Sequence, residues 1–289
     1  MAGSGRRAAA ARSTPGTPAA PPRAGSLVVV GTGVAAVAQV TLEAAELMRR
    51  ADRLLYLATD PLTELWLTEL NPSSESLSGL YGELRPRQQT YRDMTARMVA
   101  PVRDGLRVCA AFYGHPGVFV DPTHRAIARL RREGYEARML PGVTADGCLY
   151  ADLGINPGDC GVQSFEATDF LAARRRFDPT SHLLLWQIGV LGESTARLGT
   201  CRPERLATLV ASLRRHYPPR HPVVLYRAGA LPGQRPRIAR LPLSRLATAE
   251  VFPLELLYIP PMPQRDHDPA ILRWYDEQRN GAPRTFQQS

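Results

Sequence analysis

Three short apolar runs in the first half of the chain each stop at a glycine-bearing turn. Residues 27–30 run into Gly31-Thr32-Gly33, residues 107–112 into Tyr113-Gly114-His115-Pro116-Gly117, and residues 137–140 into Pro141-Gly142. Runs this short, apolar on consecutive residues, suit strands buried on both faces. Between them lie helical patterns over residues 36–50, 94–104 and 121 to about 133. For the last of these, Asp121 can serve as cap, Pro122 as first residue and Gly134 as stop. A further strand is predicted at 53–57. Strand–helix alternation of this kind gives a mostly parallel sheet clad by helices, and such sheets hold ligands beyond the carboxyl ends of their strands.

The pattern changes after Gly154. Strands are predicted at 182–188, 223–228 and 256–259, with a helix at 203–216, so a second α/β lobe is expected over 142–262 after a first over 26–141. Residues 1–25 are Ala, Pro, Gly, Ser and Arg; they cannot bury a core and are expected to be a disordered arm. Residues 263–289 read as a charged tail with one short amphipathic stretch at 270–278. No apolar run approaches the ~20 residues of a membrane span. The net charge of +9 rests on arginine alone, since lysine is absent. Such a balance fits nucleic-acid or membrane binding, but it also fits a GC-rich codon bias; with mixed-sign runs such as Arg131-Arg132-Glu133, the expectation is no nucleic-acid and no membrane partner. Cys109, Cys148, Cys160 and Cys201 show neither a CxxC pair nor metal-like spacing with histidine, and a reducing, cytoplasmic compartment is expected.

The turns carry the chemistry. Gly31-Thr32-Gly33-Val34-Ala35-Ala36 fits G-x-G-x-x-A: either a dinucleotide loop, for which Asp60 lies late as the ribose acid, or a tight turn into a helix. In residues 112–122, two glycines let backbone approach a ligand and Pro116 stiffens the loop, while His115 is open to a structural or a catalytic role. In Leu140-Pro141-Gly142-Val143-Thr144-Ala145, Thr144 can cap a helix, or the first helical N–H groups can meet a ligand carboxylate.

Taken together, the GTG turn, the GHPGVF loop and the LPGVTA segment resemble the tetrapyrrole-methylase superfamily. The segments CLYADL (148–153), FEATDFL (165–171), SHLLLWQIG (181–189), 221–226 and YIPP (258–261) are similar to the borosin-type peptide backbone α-N-methyltransferases, in their split, bacterial-like form. The resemblance covers nearly all of 27–261. It implies an α/β, two-lobed fold with S-adenosyl-L-methionine in the cleft between lobes. Gly31, Gly33, Tyr113, His115, Val118 and Phe119 would line the cofactor, Thr144 and Ala145 would hold its amino-acid end, and Gln187 and Tyr226 would reach it from the second lobe.

Arg87 and Tyr91 match an arginine–tyrosine pair assigned to catalysis in that family; four apart on a helix, they share one face. A backbone amide nitrogen is a poor nucleophile because its lone pair is delocalised into the carbonyl. The resemblance thus implies Tyr91 as base or relay, its phenolate favoured by Arg87. Arg87 would stabilise the developing oxyanion, Tyr113 would orient the amide, and Tyr81 would reach the site. Gly82-Glu83-Leu84 stands where the family has a longer segment with extra tyrosines. The implied function is methylation of a separate precursor peptide, in trans, in biosynthesis of a ribosomally made product, by a homodimer without metal. The alternatives are a methyltransferase of the same fold acting on a small molecule such as a tetrapyrrole, and a cofactor-binding partner module without turnover.

Overall fold

The computed structural model describes residues 24–82, 85–195, 200–263 and 268–273. Most of the arm at 1–25 and most of the tail at 263–289 therefore lie outside the described residues.

Five strands form the first sheet in the order β3-β2-β4-β1-β5, every pair parallel. They are β1 (Ser26–Gly31), β2 (Arg53–Leu57), β3 (Ser74–Ser76), β4 (Arg107–Phe112) and β5 (Glu136–Met139). Helix α1 (Leu42–Arg50) follows β1, α2 (Pro61–Leu70) follows β2, α3 (Arg87–Arg103) follows β3 and α4 (Asp121–Arg132) follows β4. Alternate strand residues face opposite ways, and both faces are apolar. Val30, Leu54, Tyr56, Cys109 and Ala111 pack with Ala44 and Met48 of α1 and Leu67 of α2. Leu27, Val29, Leu55, Ala110 and Phe112 pack with Met94, Met98 and Val102 of α3 and Ala126 and Leu130 of α4. The neighbours β1 and β4 thus send their helices to opposite faces, which opens a crevice between their carboxyl ends.

The second sheet runs β6-β7-β10-β8-β9, with β6 (Val162–Glu166), β7 (His182–Trp186), β8 (Pro222–Arg227), β9 (Arg237–Pro242) and β10 (Leu256–Ile259). Only β6 and β7 pair in parallel; the other pairs are antiparallel. One face packs on α6 (Ala167–Ala172), on α7 (Pro203–Leu213) through Leu206, Leu209 and Leu213, and on the 3-10 turn Leu243–Thr248. Its other face, with Leu184, Val224, Tyr226 and Tyr258, meets α5 (Ala145–Leu153) through Leu149. Strap-like, α5 connects β5 of the first sheet to the second.

Four expectations are corrected. The helix after β1 begins at Leu42, capped by Thr41, because residues 34–39 fold back on Gln39, whose Oε1 accepts from the amides of Val34 and Ala35 at 2.7 and 3.0 Å. A dinucleotide loop needs a helix N-terminus at that turn; there is none, so that reading of GTGVAA fails. Helix α3 starts at Arg87, seven residues before Met94. Asp121 is the first residue of α4 rather than its cap, and it pairs with Arg125 at 2.7 Å. Elements α2, β3, β6, α6 and β9 come in addition to those predicted.

Candidate active site

The three glycine-bearing turns meet at the crevice. Gly31 ends β1 so close to the β4 turn that a Cβ on it would lie 2.3 Å from Gly114 O and 3.3 Å from Gly142 Cα. Gly33 and Gly114 exchange backbone hydrogen bonds of 3.3 and 2.7 Å, and both have positive φ, +73° and +68°. A side chain is excluded at Gly31 by space and disfavoured at Gly33 and Gly114 by conformation. Toward the opening, a Cβ on Gly114 would meet nothing within 4 Å.

Beyond these turns stand aromatic side chains. Tyr113 and Phe119 are 37% and 38% exposed. Phe119 adopts positive φ (57°) and lies against Trp186, at the end of β7, with ring centroids 5.1 Å apart. This contact joins the first sheet's loop to the second sheet. Gln187, next in chain, is half-buried and also has positive φ (58°). His115 uses its Nδ1 to accept from the Gly117 amide at 3.0 Å, which favours the structural role for that ring. Thr144 caps α5 by accepting from the Gly147 amide at 3.2 Å, leaving the amides of Ala145 and Asp146 as first-turn donors without an intrahelical partner.

Tyr226 is fully buried, and its hydroxyl donates to Asp152 Oδ2 at 2.6 Å. On β8 it packs on the face covered by α5.

Arg87, Tyr91, Tyr113 and Tyr81 form one cluster in which each tyrosine feels the Arg87 charge. Helix α3 brings Arg87 and Tyr91 to one side; the β4 turn supplies Tyr113 and the segment after the 3-10 turn Ser78–Leu80 supplies Tyr81. Burial pushes the Tyr91 phenol above its ordinary value, and the Asp121 carboxylate adds to this; Arg87 pulls it down but is outweighed. The phenolate expected from the Arg87 charge is therefore not the resting state. Burial likewise raises Tyr113, against Arg87. Tyr113 keeps open surface on the crevice, yet protein surrounds it densely enough for desolvation to lead. Tyr81 is pushed up as well, first by burial and then by Tyr91 and Tyr113. Glu83 and Leu84, in the segment that departs from the borosin pattern, lie outside the described residues.

A model of the tetrapyrrole (corrin/porphyrin) methylases matches residues 26–247. The chain belongs to that family. S-adenosyl-L-methionine is the methyl donor of these methylases. Among curated relatives, the chain is 40% identical over 255 residues to the methyltransferase/ribosomally synthesized cyclic peptide gymnopeptides precursor gymMA1 of Gymnopus fusipes, covering 87% of this chain and 61% of the relative. It is 39% identical to the corresponding omphalotin A precursor ophMA of Omphalotus olearius, again over 87% of this chain and 61% of that one. The chain thus spans less than two thirds of these relatives' length. Uroporphyrin-III-C-methyltransferase from Thermus thermophilus has the same fold, with TM-score 0.58 and 22% identity over 84% of this chain and 98% of that one. A cobalt precorrin-4 methyltransferase shares it at TM-score 0.58 and 17% identity, over 81% of this chain and 94% of that one.

The residues present fit the methylase cofactor. Glycine turns without side chains admit a nucleoside to the backbone, Tyr113, Val118 and Phe119 offer apolar and aromatic surface, and the first amides of α5 suit a carboxylate. Sequence reasoning did not single out Gln39, Trp186, Asp121 as a neighbour of Tyr91, or residues 194 and 195, discussed below. Gln39 lies in no motif, Trp186 sits within SHLLLWQIG but meets Phe119 only in the fold, and Asp121 and residues 194 and 195 act across long stretches of chain.

Proposed function

We propose that this chain transfers methyl groups from S-adenosyl-L-methionine to backbone amide nitrogens of a precursor peptide. The observation that carries the reading is the cluster of one arginine and three tyrosines beside the glycine turns. The names of the relatives, methyltransferases joined to cyclic-peptide precursors, support it. Bound in the crevice, the cofactor supplies an electrophilic methyl group on a sulfonium. Arg87 then faces the amide oxygen and stabilises the negative charge that grows there as the nitrogen loses its proton, before the nitrogen attacks the methyl group. Tyr91, once deprotonated, takes the amide proton. Its raised pKa makes its phenolate a stronger base and narrows the gap to a very weak acid. Tyr113 and Tyr81 orient the peptide and exclude water. Gly31, Gly33, His115, Val118, Phe119, Thr144, Ala145 and Gln187 shape the cofactor side.

The test is tandem mass spectrometry of a candidate precursor peptide encoded beside the gene, incubated with protein and cofactor. Methyl groups on backbone nitrogens are expected; methyl groups only on side chains, or on an added tetrapyrrole, would overturn the reading. The expectation of a separate acceptor chain bears on the 263–289 tail, most of which lies outside the described residues. Intact mass after incubation with cofactor alone tests it, because methyl groups on the chain itself would mark self-modification.

The proposal includes a homodimer in the cytoplasm. Leu42 of α1 and Leu62 and Leu65 of α2 are 91%, 41% and 56% exposed on helices covering one face of the first sheet, apolar surface of the kind subunits bury. The cysteines are free, in keeping with a reducing compartment. Light scattering at the mass of two chains is expected; a single-chain mass at micromolar concentration would refute the dimer.

A further inference from the structure

The first turn of α3 is held by the second lobe. Helix starts leave amide donors unsatisfied, and α3 has no side-chain cap at Pro86. The Arg87 amide instead donates to Ser194 O at 3.0 Å, and its guanidinium Nη2 donates to Thr195 O at 3.4 Å. Pro86 and Thr195 form an isolated antiparallel bridge. The arginine assigned to the acceptor amide therefore takes its position from two carbonyls more than a hundred residues along the chain.

Those carbonyls are themselves fixed. Glu193 Oε1 accepts from the Thr195 hydroxyl at 3.1 Å, and Glu193 Oε2 accepts from Arg205 Nη1 at 3.1 Å. Arg205 projects from α7, and the same Nη1 donates to Leu191 O at 2.9 Å. The Gly192 amide donates to the Thr168 hydroxyl of α6 at 3.0 Å. Both charged side chains are largely sheltered, at 29% exposure for Arg205 and 17% for Glu193. Burial opposes the Glu193 charge, but the bonds from Thr195 and Arg205 outweigh it and hold the carboxyl below its ordinary value. A sheltered, charge-assisted pair resists deformation far more than an exposed one. Among the described residues, the other ion pairs of the second lobe, Arg175 with Asp169 and Arg237 with Glu255, have no such link to α3.

We infer that Glu193 and Arg205 are positioning residues for methyl transfer: they brace residues 191–195, whose carbonyls of Ser194 and Thr195 set the Arg87 guanidinium against the acceptor amide. This rests on the reading of Arg87 given above. The pair touches neither substrate nor cofactor, so its removal is expected to alter turnover and leave cofactor binding alone. Small displacements of a charged group at a reacting centre cost up to roughly 10²-fold in rate.

The experiment compares Glu193→Ala, Glu193→Gln, Arg205→Ala and Arg87→Ala with Arg175→Ala, the exposed second-lobe pair, as control. Readouts are peptide methylation by mass spectrometry, S-adenosyl-L-methionine affinity by calorimetry, and amide hydrogen exchange over residues 85–95 of the ligand-free protein. Glu193→Ala and Arg205→Ala are expected to lower kcat by about 10- to 100-fold with KM and cofactor Kd nearly unchanged. Exchange at the first turn of α3 should rise in both. Glu193→Gln, which keeps the acceptor for Thr195, should recover kcat to within about threefold of the parent. The Arg175→Ala control should match the parent throughout. If Arg87→Ala abolishes transfer while Glu193→Ala and Arg205→Ala keep full kcat, the inference fails and the reading of Arg87 stands. If Arg87→Ala transfers methyl normally, that reading fails. Unchanged exchange at residues 85–95 in both Glu193→Ala and Arg205→Ala would overturn the brace even without any acceptor peptide in hand.

Discussion

In the first sheet, β1 and β4 carry their helices to opposite faces, and the turns at their carboxyl ends bear Gly31, Gly33, Tyr113 and Gly114. In the second, four of five strands belong to antiparallel pairs, and what reaches the crevice is narrower: Trp186 and Gln187 at the end of β7, and residues 193–195 beyond it. A parallel sheet makes its crevice by topology, because parallel neighbours place their turns at one edge. A mostly antiparallel sheet has no such edge, and contributes through a few residues held at a fixed distance. On the proposed reading, the first half therefore shapes most of the cofactor side, and the second half adds Gln187 and holds Arg87.

Breaking the division at its strongest point means removing Arg87. Arg87→Ala is expected to lower methyl transfer by about 10²–10³-fold, as with other donors aimed at a developing oxyanion, with cofactor affinity unchanged. Parallel kinetics and calorimetry check this; equal loss of cofactor binding would place Arg87 on the wrong side of the division. On the cofactor side, Gly31→Ala sets a Cβ 2.3 Å from Gly114 O, and one of the two turns must move. Cofactor affinity should fall, at a stability cost on the order of 1–3 kcal/mol from overpacking, read by calorimetry and denaturant titration. A parent-like Kd would show that the turns do not form the cofactor surface.

The second half offers a sharper contrast in Tyr226. Tyr226→Phe removes the bond to the Asp152 carboxylate, which is exposed and is then hydrated, so a loss of about 0.5–1.5 kcal/mol in stability is expected, with cofactor Kd unaltered. A large change in Kd with stability intact would place Tyr226 in the cofactor site. In pH, Tyr91 titrates above its ordinary value of 10.0, so kcat should still be climbing at pH 10 as phenolate forms, and Tyr91→Phe should flatten that rise. The smallest effect lies far from the crevice. Arg107, by side-chain and backbone hydrogen bonds, holds the Asp52 carboxyl down at about 2, against an ordinary 3.8. A depressed carboxyl pKa stabilises the fold above 3.8 and loses that contribution as pH falls toward 2. Because the pair is exposed, Asp52→Asn should cost under ~1 kcal/mol at pH 7 and less at pH 2, by thermal melts at both pH values.

Much of the first sheet, and part of the second, was legible. β2, β4 and β10 fall where their apolar runs place them, and Thr144 and Gly134 mark helix ends as their chemistry dictates. The polar strand Ser74–Ser76 carries no apolar signal, and β9 is interrupted by Arg237 and Arg240. The start of α3 escaped because its first two turns are mostly polar and Pro86 gives no side-chain cap; apolar periodicity begins only at Met94. At the site, glycine turns and the Arg87–Tyr91 spacing were readable because they are local. The raised Tyr91 phenol, the burial of Tyr226 and the grip of residues 194–195 on Arg87 depend on burial and long-range contact, which no local pattern encodes.

The most direct measurement is tandem mass spectrometry of one precursor peptide after incubation with cofactor and either the parent protein or Arg87→Ala, with cofactor binding measured on both. Methyl groups on backbone nitrogens with the parent, and none with a variant that binds cofactor equally well, are the expected result. Backbone methylation undiminished in Arg87→Ala, or methyl groups confined to side chains, would contradict the account.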